Sequence, residues 1–137
     1  MGPFNAFDAG TWNGEPRQIH VVSNSMISNF QLNNAEKTIS FNVMRESGLG
    51  FCRVTVPKII VQEMWYNTYT VLINGEAWQF REWTDMENVY IYLTYQHSAH
   101  NVTIIPELPP ILILPLIRAL TALAVACSKK RFHKRLI

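Results

Sequence analysis

Two histidines three apart, His97 and His100 in QHSAHN, have the spacing best suited to gripping a metal ion. A zinc site needs further donors, and no cysteine or carboxylate stands next to them. The segment reads better as a turn whose imidazoles bond to backbone, so no metal and no other cofactor is expected. Trp65, Trp78 and Trp83 could stack against a ligand such as a sugar ring, with Tyr90 and Tyr92 alternating on one face of a strand-like run. Aromatics at that spacing also serve as core or as cross-strand pairs. Asn101-Val102-Thr103 is an acceptor sequence for N-glycosylation. For catalysis there is little. Glu63, Glu76, Glu82 and Glu87 are scattered, and no Ser-His-Asp signature, glycine-rich phosphate loop or HExxH occurs. The chain is expected not to be an enzyme.

Charge is unevenly placed along the 137 residues. Residues 1–107 hold all ten Asp/Glu against six Lys/Arg, a net of −4. Five further basic residues, Lys129, Lys130, Arg131, Lys134 and Arg135, crowd the last ten positions. Phosphate contact needs clustered Lys/Arg, so the acidic body is not expected to bind nucleic acid. Cys52 lies in a strand-like run and Cys127 at the end of an apolar segment, so no disulfide framework follows. The first residues, MGPFNAFDAGTWNG, carry neither the basic nor the apolar region of a secretory signal.

These side chains must be positioned by short alternating runs. IHVVS (19–23), MISNFQL (26–32), KTISFNV (37–43), FCRVTV (51–56), YTVLIN (69–74), AWQFREW (77–83), VYIYLTY (89–95) and NVTII (101–105) read as strands. A period of two with one wet face is the pattern of antiparallel, half-buried strands. Asn74-Gly75 accepts positive φ at both central positions and marks a hairpin. VPKIIVQEMWYN (56–67) breaks the pattern, and Pro57 can start one short helical turn there. Eight strands at roughly ten-residue spacing predict an all-β, Ig-like antiparallel β-sandwich over 18–105, preceded in 1–17 by a loop or the first strand of the domain. Phe41, Phe51, Val54, Val71, Ile73, Ile91 and Leu93 are the expected core.

Residues 108–127 are twenty mostly apolar residues after a Pro-rich junction that starts at Pro106. As a helix they would cover about 30 Å, the thickness of a hydrocarbon core. The basic flank at 128–137 would keep that end cytoplasmic. The fold is therefore expected to end in a single C-terminal transmembrane helix, with the β domain extracellular and the tail inside. Arg118 weakens the span. A central Arg costs about 2.5–3.5 kcal/mol on insertion scales, which the ten aliphatic residues around it roughly offset.

SNSMISNF (23–30), EKTISFNV (36–43), GFCRVTVPK (50–58), YTVLINGE (69–76), YIYLTYQHSAHNVTII (90–105) and PELPP (106–110) together resemble a C-terminal domain of archaeal secreted surface proteins. Its ending is similar to the PEF-CTERM class of sorting signals, a Pro-Glu-Phe-Pro type motif followed by a transmembrane helix and a basic tail. Here Pro106, Glu107, Leu108 and Pro109 occupy the motif, with Leu in place of Phe. The resemblance implies a non-enzymatic cell-surface domain whose partners are the lipid bilayer and a sortase-like processing enzyme. In such relatives it holds upstream repeat domains at the membrane. The alternative from the residues themselves is a surface module that binds carbohydrate or protein through exposed aromatics. An open groove lined by several exposed aromatics would favour binding, and a closed cleft with converging carboxylates would favour catalysis.

Overall fold

The computed structural model describes residues 4–107. In chain order these form β1 (Phe4–Trp12), β2 (Glu15–Ser23), β3 (Met26–Asn33), β4 (Thr38–Arg45), β5 (Gly50–Pro57), α1 (Lys58–Trp65), β6 (Tyr69–Ile73), β7 (Glu76–Ala77), β8 (Arg81–Thr84), β9 (Asn88–Tyr95) and β10 (Ser98–Pro106). The expected membrane segment 108–127, the tail 128–137, and Leu108 and Pro109 of the sorting-like motif lie outside the described residues. No helix among the described residues is long and apolar enough to cross a membrane.

The strands make two antiparallel sheets, in the orders β1-β2-β5-β9-β8 and β3-β4-β10-β6-β7. Period-two alternation decides which side chains go in. Val54 on β5 and Ile91 on β9 meet Phe41 on β4, Val71 on β6 and Ile104 on β10 in one hydrophobic core, and all five are fully buried. Two antiparallel sheets sharing one core are consistent with a β-sandwich. Burying apolar area at about 25 cal/mol per Å² is the main force holding them together. Cys52 belongs to this core, and burial pushes its thiol pKa upward, so it behaves as a small neutral hydrophobe.

The immunoglobulin-like order expected from the sequence holds only for β1-β2-β5, which matches the A-B-E neighbours of that fold. In an immunoglobulin domain strand C lies beside strand F. Here β4 and β10 stand between β3 and β6. The two last strands enter the middle of the sheets, β9 between β5 and β8 and β10 between β4 and β6. Their regular alternation suits them to it, since a central strand is flanked on both edges and covered on one face.

Three local features differ from the sequence reading. Phe51 is not core. Cys52, Val54 and Val56 point inward, so Phe51 falls on the outer face with Arg53, half-buried against Tyr92. AWQFREW is not one strand. Glu76-Ala77 completes the hairpin with β6, and residues 78–80 then cross to the other sheet, where Arg81 to Thr84 pair with β9. The helix from Pro57 runs for eight residues instead of one turn, because Ile60, Val61, Met64 and Trp65 all find core to cover. It ends on Tyr66 in the left-handed conformation, φ 51°, whose N–H donates to the Gln62 carbonyl.

Candidate functional site

The outer face of the first sheet carries several aromatic side chains together with Arg53 and Arg81. Register fixes two rows across it. Phe4, Val22, Arg53, Tyr92 and Arg81 are successive partners on β1, β2, β5, β9 and β8. Ala6, His20, Thr55, Tyr90 and Trp83 form the next row. Neighbouring strands lie about 4.8 Å apart, so side chains in a row touch their neighbours. Trp83 stacks on Tyr90 with ring centroids 5.6 Å apart and planes 9° from parallel. Phe51 stacks on Tyr92 at 6.0 Å, and Phe4 meets His20 at 4.9 Å. The Arg53 guanidinium lies over the Tyr90 ring at 5.8 Å, a cation–π contact.

Beside this face an open groove of about 720 Å³ runs where the crossing segment peels away from β9. Trp78, Gln79, Phe80 and Arg81 line one side, and Tyr92 and Thr94 the other. The groove exists because β8 pairs with β9 only from Arg81 onward, while residues 78–80 leave for the other sheet. One bond spans it: the Trp78 indole N–H donates to the Thr94 carbonyl at 2.8 Å and fixes that ring as a wall. Trp78 is 39% and Trp83 45% exposed, so both keep ring surface free.

The carboxylates near this face are already engaged. Asp85 Oδ1 accepts from the Glu87 and Asn88 amides at 2.9 and 2.8 Å, and Oδ2 accepts from the Tyr90 hydroxyl at 2.6 Å. The Tyr90 bond, followed by the backbone donors, holds the Asp85 pKa below its usual value. The same Asp85 bond raises Tyr90. Glu82 projects to the opposite side of β8 and accepts from the Tyr69 hydroxyl of the other sheet. Tyr69 is pushed well above its ordinary pKa, first by burial and then by Glu82. Glu63 on α1, Glu76 on β7 and Glu87 before β9 have no side-chain hydrogen bond among the described residues. No group of three or more His, Cys, Asp or Glu is placed to hold a metal among the described residues.

The remaining candidates from the sequence fall elsewhere. Trp65 is not a stacking residue. It is 1% exposed, and its indole N–H donates to the Lys37 carbonyl at 2.8 Å, so neither ring face is open to a ligand. His97 and His100 do not converge on a common point with other donors. His100 Nε2 donates to the Gln96 carbonyl at 2.8 Å, which makes Nδ1 the acceptor for Asn74 Nδ2 at 3.0 Å. His97 is exposed. Asn101 lies mid-strand on the outer face of the second sheet. Its Nδ2, the atom a glycan would join, donates to Asn42 Oδ1 at 3.0 Å and Ser40 Oγ at 3.3 Å, and Thr103 Oγ1 donates to its Oδ1 at 2.8 Å. Glycan attachment to the folded domain would have to break this network.

The two outer faces therefore differ in kind. The second sheet shows Ser40, Asn42, Asn101 and Thr103 bonded among themselves. The first shows stacked rings and arginines. Sequence reasoning found Trp78, Trp83, Tyr90 and Tyr92 but missed Arg53, Arg81 and Phe51. The outward parity of Arg53 could be read from FCRVTV, but that it lies beside Tyr92 depends on pairing across 39 positions of chain. No protein-family model matches the chain, and neither do any curated protein or solved structure.

Proposed function

We propose that this chain is a non-enzymatic cell-surface module that binds an extended glycan on the outer face of its first sheet. The observation that carries the reading is the cluster of part-exposed rings, Trp83, Tyr90 and Tyr92, beside an open groove walled by Trp78. A sugar presents a flat apolar face of C–H groups, and a sheet face bearing rigid aromatics offers area for it at little entropic cost. An open groove suits a polymer that passes through rather than a small molecule that must be enclosed. Binding of a polysaccharide panel to the full chain in neutral detergent, followed by tryptophan fluorescence, tests this. Trp83→Ala should weaken binding by about tenfold or more, as truncation of a central Trp does at other interfaces. Its melting temperature should stay near that of the parent, because Trp83 lies on an edge strand. Equal binding by Trp83→Ala, or no polysaccharide bound at all, would refute the reading.

We further propose that residues 108–127 hold this module at an archaeal-type membrane with the β domain outside. The support is the length of the apolar segment, the five basic residues after it and the sorting-like motif before it. Those basic residues would add about 1 kcal/mol each near anionic headgroups. The chain should stay with membranes through carbonate extraction, and Arg118→Leu should raise the inserted fraction. Release of the parent chain into the soluble fraction would sink the anchor without touching the binding face.

A further inference from the structure

We infer that the glycan bound by this face is anionic, a polysaccharide bearing carboxylate or sulfate groups that seat between Arg53 and Arg81 on either side of Tyr92. The inference rests on the binding reading above and specifies its ligand.

Arg53 and Arg81 both pair with Tyr92 in register, so they flank its ring from the two neighbouring strands. Their backbones are about two strand spacings apart, roughly 10 Å, a gap that two long side chains can close onto one anionic group. Neither is salt-bridged among the described residues. The ion pair found among the described residues is Arg17 with Glu15, on another part of the sheet. The acids that could neutralise them are turned away: Asp85 is held by Tyr90 and two backbone amides, and Glu82 by Tyr69. Arg53 Nε has no hydrogen-bond partner among the described residues, as is also true of Nε in Arg17 and Arg45.

Residues 1–107 are net negative, yet two of their six Lys/Arg stand beside one ring on the aromatic face. The two guanidinium groups offer forked donors that match carboxylate or sulfate. Arg81 lines the groove and Arg53 stands across Tyr92 from it, so a chain lying along Trp78 and Tyr92 would meet Arg81 directly and reach Arg53 beyond the ring. A neutral glycan would leave these donors unanswered.

The test compares alginate, dextran sulfate, plain dextran and polyglutamate for binding to the full chain in neutral detergent. Arg53→Gln, Arg81→Gln, Trp83→Ala and a variant with the five tail basic residues changed to Ser are measured beside the parent. Alginate or dextran sulfate should bind at least about tenfold more tightly than dextran. Either Arg substitution should weaken that binding about tenfold, the effect of losing a charged hydrogen bond. The tail variant should bind as the parent does. If plain dextran binds equally and Trp83→Ala alone weakens it, the anionic inference is overturned while the glycan reading stands. If no polysaccharide binds, both fall. If binding follows the tail instead of the arginines, or polyglutamate binds as tightly and ignores Trp83→Ala, the attraction is bulk charge and the inference is overturned.

Discussion

Phe41→Ala should cost the domain about 3–5 kcal/mol, the usual toll of deleting a buried aromatic side chain. Phe41 is fully buried at the centre of β4, opposite Val102 on β10. Its ring also ends a stack that joins the two sheets. Phe7 of β1 lies on Phe30 of β3 with centroids 4.2 Å apart and planes 3° from parallel, and Phe30 lies 6.3 Å from Phe41. A bulge between Ser28 and Gln31, with Asn29 at φ 54°, lets Phe30 turn in to complete that stack. Removing Phe41 therefore opens a cavity and leaves Phe30 without a neighbour on one side. Against a typical domain stability of about 5–15 kcal/mol, the loss is a large share. The melting midpoint should fall by roughly 15–25 °C, at about 5 °C per kcal/mol for a domain of this size. A fall of only a few degrees would mean that the two sheets do not share the core described.

Gly50→Ala should cost about 3 kcal/mol, far more than one methyl group ordinarily does on a surface strand. Gly50 has an ordinary φ, so the requirement is space and not backbone freedom. A Cβ there would stand 2.7 Å from Tyr95 Cδ1 and closer still to Cε1. The ring has no room to retreat. It is buried on β9 directly opposite Gly50, and its hydroxyl is tied to Ser25 Oγ at 2.8 Å and to the Phe51 carbonyl at 3.0 Å. Ser23 Oγ shares the network, donating to the Phe51 carbonyl at 2.6 Å. A double-mutant cycle separates the clash from other causes. In a Tyr95→Ala background the Gly50→Ala cost should shrink to below about 1 kcal/mol. If it stays the same, the ring is not what Gly50 makes room for.

Alternation within a strand was legible in the chain, and pairing between strands was not. KTISFNV shows its buried face at sight, and Ile39, Phe41 and Val43 are indeed all fully buried. Asn74-Gly75 adopts φ 52° and 85°, as its dipeptide suggests. Asn13-Gly14 does the same at 53° and 81° and joins β1 to β2, though the surrounding Gly, Asn and Pro masked the strands on either side. The face itself required knowing that β5 lies beside β9 and β9 beside β8. Side-chain period is a local property of two residues, whereas strand order is decided by the global fit of ten segments. Trp65 was misplaced for a related reason: a tryptophan on a short helix looks exposable until one sees that the helix covers the core. AWQFREW has a continuous strand-like composition and carries no mark at the point where it changes sheets.

The central position of β9 and β10 has a consequence for biosynthesis. Synthesis proceeds from the N-terminus at about 5–20 residues per second, so a few seconds separate the appearance of β5 from that of β10. During that interval β1-β2-β5 and β3-β4 can form from hairpins and near neighbours. Their inner faces are apolar, and the free edges of β4 and β5 wait for partners that have not yet been made. Phe41 must wait for Val102, 61 positions later. Pairing at such separation is slow in any chain. An unpaired apolar edge meanwhile offers its backbone to any other nascent copy nearby. The closing strands thus act as a timer: until β9 and β10 have emerged, the edges of β5 and β4 lack the partners that the finished sheets give them.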